Sequence, residues 1–287
     1  MDGENVLRWG ILALARNILY QMAMGYPDCS HHMLAGEFPE KTEAPEYCLV
    51  YSGYSELDNG DYIDVVFIAN PHSHHFPDTM LALEAGNPVV CQKSLTANAP
   101  QARKLFETAT RKQRFLMEGW WTYWPQAKLA GGALLDVLAL HWILLAPLKE
   151  DRRPAQVSSS IKTCPVSVID ETTTIIMNFL MGGREIRAIA QVSIEGSDGT
   201  IKIHGREYVL LSEPFAVTPY EEGLQFILGA DEVARCISEG LLKSHEMPWE
   251  ESLLVMEIMD TVPEQNNLQI PPEIESLGLP PSLLVRT

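Results

Sequence analysis

Short apolar runs alternate with segments of helical period along the first 120 residues. That is the pattern of a doubly wound parallel sheet whose strands are buried on both faces. Residues 7–13 predict a first strand and residues 16–24 the helix after it. Residues 32–36 predict a second, short strand, followed by an acidic, proline-containing loop over 37–47. The β-branched run at 63–69 predicts a central strand, which Asn70-Pro71 ends. A helix is expected over 76–85, with Gly86 where a helix C-terminus favours glycine. A strand at 88–91, a helix at 99–111 and a strand at 114–118 complete this part. Beyond Trp120 the period changes. A helix is expected over 133–145, then period-two runs at 172–179, 185–192, 199–205 and 208–211. These predict an antiparallel sheet with one wet face. Helices follow at 230–240 and 250–262, the second stopped by Pro263, before an irregular proline-rich tail. The expected fold class is therefore α/β, a Rossmann-type doubly wound parallel sheet over 1–120. An α+β domain with an open, mostly antiparallel sheet follows over 121–287.

Composition narrows the function classes. With 21 Lys+Arg against 38 Asp+Glu, the formal charge of the 287 residues is −17. This argues against nucleic-acid partners, which need a basic footprint, and against anionic membrane surfaces. No run approaches the ~18 apolar residues of a membrane span. The start, Met1-Asp2-Gly3-Glu4-Asn5, carries acids where a signal peptide needs a basic segment. Five scattered cysteines (Cys29, Cys48, Cys91, Cys164, Cys236) read as reduced thiols, so a cytoplasmic protein is expected.

The string from Gly60 through Ile63-Asp64-Val65-Val66-Phe67-Ile68-Ala69-Asn70-Pro71-His72-Ser73-His74-His75 resembles the Gfo/Idh/MocA oxidoreductases. So do Val89-Val90-Cys91-Gln92-Lys93-Ser94, at the place of that family's Glu-Lys-Pro motif, and Phe115-Leu116-Met117-Glu118. Gly131 to Asp136 and Ala230 to Ile237 extend the likeness over most of the chain, in order. Within the family the likeness is strongest to dimeric dihydrodiol dehydrogenases and fungal NADP-linked D-xylose dehydrogenases. The resemblance implies NAD(P)-dependent hydride transfer at a carbon bearing a hydroxyl group, with NADP slightly favoured over NAD, on a small sugar, diol or related metabolite.

It also implies roles for particular residues. The dinucleotide loop would run over Gly10, Ala13, Ala15 and Arg16, with alanines at its second and third glycine positions. A methyl group at the second pushes a diphosphate outward. After the second strand the chain is short, and Lys41 among acids leaves the choice of NAD or NADP unread. Asn70, Pro71, His72, His75, Gln92 and Lys93 would line the nicotinamide end. Lys93 would hold the substrate hydroxyl and assist proton transfer, with Asp136 in support. Gln92 and Ser94 replace the acid and the proline that flank this lysine in the family. Where the family places a Tyr or His as the acid/base, this chain has Leu140. His141 lies one residue on, rotated about 100° around a helix. Only Pro125 to Ala130 separate Trp124 from Gly131, so a substrate wall is shortened.

His72, His74 and His75 have no carboxylate or cysteine to complete a ligand set, and no metal is expected. The cluster Trp120-Trp121-Thr122-Tyr123-Trp124 reads as interdomain core ahead of a sugar-stacking surface. The period-two strands from Thr172 to Leu211 are the expected homodimer surface. Two functions stand at this point. One is an NAD(P)-dependent dehydrogenase. The other is a non-redox relative on the same scaffold, either a silent binding or regulatory protein or a repurposed isomerase-type enzyme. The altered glycine loop and Leu140 speak for the second.

Overall fold

The computed structural model describes residues 7–12, 32–35, 50–51, 63–119, 134, 153–163, 170–181, 183–193, 200–204, 209–211 and 232–279. Trp9–Leu12 (β1), His32–Ala35 (β2), Val50–Tyr51 (β3), Val65–Ile68 (β4), Val89–Gln92 (β5) and Leu116–Gly119 (β6) form one parallel sheet. Its order is β3-β2-β1-β4-β5-β6, so the direction of winding reverses between β1 and β4. The expectations at 16–24, 37–47 and 120–124 fall outside the described residues, as does the one at 133–145 apart from Leu134.

The apolar runs are continuous because both faces of this sheet are covered. Val66, Ile68, Val89, Cys91 and Leu116 belong to one core. There they meet Phe76, Met80 and Leu83 of α1 (His72–Ala85) and Leu105 and Phe106 of α2 (Ala99–Lys112). Val65, Phe67, Val90 and Met117 belong to a second core, closed by Val233 and Cys236 of the helix over 232–238 (α3) and by Met247. The C-terminal part of the chain thus returns to the first sheet.

Two proline expectations need correction. Helix α1 starts at His72 rather than Phe76, and Pro77 lies inside it. The ring's fixed φ suits a helix, and only one bond, to the carbonyl of Ser73 in the open first turn, is lost. As expected, Gly86 closes α1 in the left-handed conformation (φ 93°). The helix at the chain's end, α4, runs over Trp249–Asn266 and passes through Pro263, ending instead at Asn267 with φ 52°.

The period-two runs form the second sheet. Gln156–Thr163 (β7), Asp170–Met181 (β8), Arg184–Ser193 (β9), Thr200–His204 (β10) and Val209–Leu211 (β11) pair antiparallel in the order β11-β10-β9-β8-β7. Strand β7 was not expected. It is a half-wet edge strand, in a segment to which no element was assigned. On β8 the alternation is plain: Thr173, Ile175, Met177 and Phe179 are buried, while their neighbours face outward.

Helix α4 ties the two sheets together. Its buried residues, from Glu251 to Val262, cover more than one face, as suits a helix enclosed by protein. At its start Trp249 stacks on Phe106 at 5.1 Å and donates to the Leu116 carbonyl at 2.8 Å. At its end Gln265 donates to the Val157 carbonyl at 3.0 Å and Asn266 to Ser159 Oγ at 2.9 Å. A pair of neighbouring substitutions checks the register of β8. Phe179 is 0% exposed and Leu180 is 61% exposed. Phe179→Ala is expected to lower the unfolding free energy by about 3–5 kcal/mol, and Leu180→Ala to change it by less than about 0.5 kcal/mol, both by urea denaturation.

Candidate active site

In a sheet wound this way, ligands bind outside the carboxyl ends of the strands where the winding reverses. That point lies between β1 and β4. Gly10 is buried within β1, opposite Val66. Strand β4 leaves through Ala69, Asn70 and Pro71 into α1, whose first turn holds no acid and whose N-cap makes no side-chain hydrogen bond. The positive end of the helix dipole is therefore uncancelled on this edge. Next along the edge, β5 ends at Gln92, and the chain turns through a cis peptide bond between Lys93 and Ser94.

The turn carrying Lys93 is gripped from several sides. His72 bonds to the Lys93 backbone. The His75 ring lies between two carbonyls, with Nδ1 2.6 Å from Ser94 O and Nε2 2.8 Å from Asn70 O. Asn70 Nδ2 in turn donates to Asp78 at 2.6 Å. The Leu95 N–H donates to Glu118 Oε1 at 2.9 Å. From α4, Met256 Sδ accepts from Thr96 Oγ1 at 3.3 Å, and Met259 Sδ lies against Ser94 Oγ. The segment ends at Asn98, whose side chain accepts from the Gln101 N–H at 2.9 Å and caps α2.

Burial sets the charge states. Lys93 is 6% exposed. Desolvation pulls its ammonium from 10.5 down to about 8, and the charge of Glu118 works in the opposite direction. Burial also holds His72 well below its usual range, helped by the charges of His75 and Lys93. His75 is lowered as well, by burial, against the pull of the Ser94 and Asn70 carbonyls. An amine that titrates near physiological pH can both give and take a proton, which a surface lysine cannot do at neutral pH.

Six expected site residues meet at this edge: Gly10, Asn70, Pro71, His72, Gln92 and Lys93. His75 is there too, but it is 1% exposed and its ring nitrogens are directed at backbone. Ala13, Ala15, Arg16, Asp136 and His141 lie outside the described residues. Sequence reasoning overlooked Glu118, Asp78 and the two methionine contacts of α4. An acid inside the apolar run of β6 was the available signal, because a fully buried carboxylate is rare without a partner. The edge suits an anionic dinucleotide in its chemistry. It offers a helix N-terminus, a close-packed glycine and an amine, and Gln92 puts an amide where a carboxylate would repel phosphate.

The profile of the Gfo/Idh/MocA oxidoreductase family, NAD-binding Rossmann fold, matches residues 30–120. The NADP(+)-dependent D-xylose 1-dehydrogenase of Hypocrea jecorina is 30% identical, over 92% of this chain and 93% of that one. This chain belongs to that oxidoreductase family. The trans-1,2-dihydrobenzene-1,2-diol dehydrogenase of Danio rerio is 26% identical over 90% of this chain and 96% of its own. Among solved structures, the aldose-aldose oxidoreductase of Caulobacter crescentus matches with a TM-score of 0.63 at 16% identity, covering 91% of this chain and 97% of that one. A 3-ketoreductase from Actinomadura kijaniata, solved with NADP and TDP-benzene, matches at 0.62 and 17%, covering 91% and 98%. These likenesses confirm the fold and the NAD(P)-linked oxidoreductase family, and they do not favour a non-redox relative. They also bear on length. The D-xylose dehydrogenase alignment runs over 366 positions, and 287 residues can fill at most 287 of them, leaving at least 79 positions without a counterpart. The family profile match begins at residue 30, after the altered glycine loop.

The depressed lysine gives a stability prediction with a definite sign. A base whose folded pKa lies below its unfolded value stabilises the fold fully only above the unfolded value. That stability is lost as pH falls from 10.5 toward 8. Lys93→Met is therefore expected to raise unfolding free energy at pH 7 by up to about 3 kcal/mol, with the gain shrinking toward pH 10.5. Chemical denaturation at both pH values checks it.

Proposed function

We propose that this chain oxidises a hydroxyl-bearing carbon of a small sugar or diol, or reduces the matching carbonyl, with NADP ahead of NAD. The observation that carries this reading is the buried, low-pKa Lys93 at the point where the sheet winding reverses. The named relatives, a D-xylose dehydrogenase and dihydrodiol dehydrogenases, supply the substrate class. The proposed division of labour is cofactor binding by 1–120 and substrate binding and assembly by 121–287, in a cytoplasmic protein.

Gly10, Ala13, Ala15 and Arg16 would hold the diphosphate, and Asn70, Pro71, His72 and Gln92 the nicotinamide end. Bound there, NAD(P) supplies the hydride acceptor or donor. Lys93 holds the substrate hydroxyl by a hydrogen bond and takes its proton as the carbonyl forms. Because its ammonium titrates near 8, Lys93 performs this transfer close to neutral pH. This eases the demand on the position where Leu140 stands. Asp136 and His141 remain proposed supports. His75 acts from behind, fixing Asn70 and Ser94 to each other.

The outward face of the second sheet suits a second copy of the chain. Ile176 and Ile189 face each other across β8 and β9, half-exposed. Around them stand small polar side chains, Ser158, Ser160 and Thr174, and Lys202 pairs with Ile189 from β10. We place the homodimer interface there.

Calorimetry with NADPH, then turnover on a panel of aldoses and trans-diols, tests the activity. Lys93→Met is expected to keep cofactor affinity within a few-fold and to lower kcat by about 10²–10⁴-fold. No cofactor binding at millimolar concentration, or full turnover by the variant, contradicts it. Light scattering tests the assembly: the dimer is expected, and Ile176→Arg with Ile189→Arg should give monomers.

A further inference from the structure

Among the described residues, the carboxylate whose charge acts on Lys93 is Glu118. Burial lowers His72 and His75 on α1 and pushes the Cys91 thiol on β5 above its usual range. Helix α4 brings the sulfurs of Met256 and Met259 to this turn. Asp78 sits behind Asn70 and bonds to it. The remaining carboxylate, Glu118 at the end of β6, is 3% exposed.

Strand register brings Glu118 to the lysine. Cys91 and Glu118 are partners across β5 and β6, so their side chains share one face of the sheet. Val89 and Leu116, in the same core cluster, mark that face. Lys93 comes two residues after Cys91, just past the end of β5, whereas Gln92 pairs with Gly119 and lies on the opposite face. Beyond the lysine, the Leu95 N–H donates to Glu118 Oε1 at 2.9 Å. The carboxylate is thus anchored beneath the turn that carries Lys93.

We propose that Glu118 is the positioning residue for Lys93: its carboxylate holds the ammonium at the crevice edge and keeps a proton on it. The inference rests on the reading of Lys93 as the proton carrier. Gln92 carries no charge, so the counter-ion comes from the neighbouring strand. The electrostatic pull of Glu118 on Lys93 has the required direction. A buried ammonium deprived of its counter-ion gives up its proton more readily.

The test is a titration of the full-length, cofactor-free protein with ¹³C-labelled lysine side chains. Lys93 is assigned by the signal missing in Lys93→Met. The wild-type midpoint is expected at about 8. Glu118→Gln should lower it by about one unit or more and move the lysine limb of the kcat profile by the same amount. If the glutamine variant does not fold, Glu118→Asp, with the charge drawn back by one methylene, should shift it the same way by less. A loss of thermal stability with an unmoved midpoint overturns the proposal, because a merely structural acid gives that result. Because the titration needs no turnover, it separates the two readings. A shifted midpoint in a protein inactive on every sugar and diol upholds the pairing and removes the dehydrogenase. An unmoved midpoint with turnover intact removes the pairing alone.

Discussion

The candidate site depends on keeping one amine out of water. An ammonium at the carboxyl end of a buried strand is costly unless its surroundings share the charge or let the proton leave. This chain does both. Histidines whose charge burial disfavours and two methionines line the turn, and the buried carboxylate of Glu118 stands under it. The same desolvation that costs stability brings Lys93 into the range where proton transfer is useful.

Holding that amine in place requires the whole fold. The turn from Lys93 to Asn98 makes no strand or helix of its own, so its backbone groups are bonded from outside. Helix α1 contributes two imidazoles, β6 a carboxylate and α2 its capped N-terminus. Helix α4 reaches it from the far end of the sequence while also seating the second sheet. Asp260 on α4 accepts from the Ala99 N–H at 3.0 Å, beside the same turn. A change in how the two sheets pack would therefore be felt at Lys93 through α4.

Much of this was legible in the sequence. The apolar runs within 63–69 and at 88–91 announced buried strands, and the alternation at 172–179 announced a half-wet sheet. The helix end at Gly86 was plain because only a left-handed residue closes it there. The prolines misled, since Pro77 and Pro263 sit where one lost backbone bond is tolerated. Strand β7 was missed because its serines carry no apolar alternation to read. At the site, Lys93 was recognisable from its flanks. Its grip was not, because His75, Glu118 and Met256 join it only through long-range packing. Sequence reading put His72 and His75 at the nicotinamide end and left His74 out of the site. The fold separates them into two backbone clamps and an exposed neighbour bonded to Ser73.

Against the D-xylose dehydrogenase of the same family, at least 79 aligned positions have no counterpart in this chain. The most direct measurement is a crystal structure of the ternary complex with NADP and an unreactive sugar or diol analogue. A dinucleotide is expected across the carboxyl ends of β1 and β4, with Lys93 Nζ about 2.6–3.2 Å from the hydroxyl oxygen at the reacting carbon. A cofactor bound elsewhere, or a Lys93 amine turned away from that hydroxyl, would contradict it.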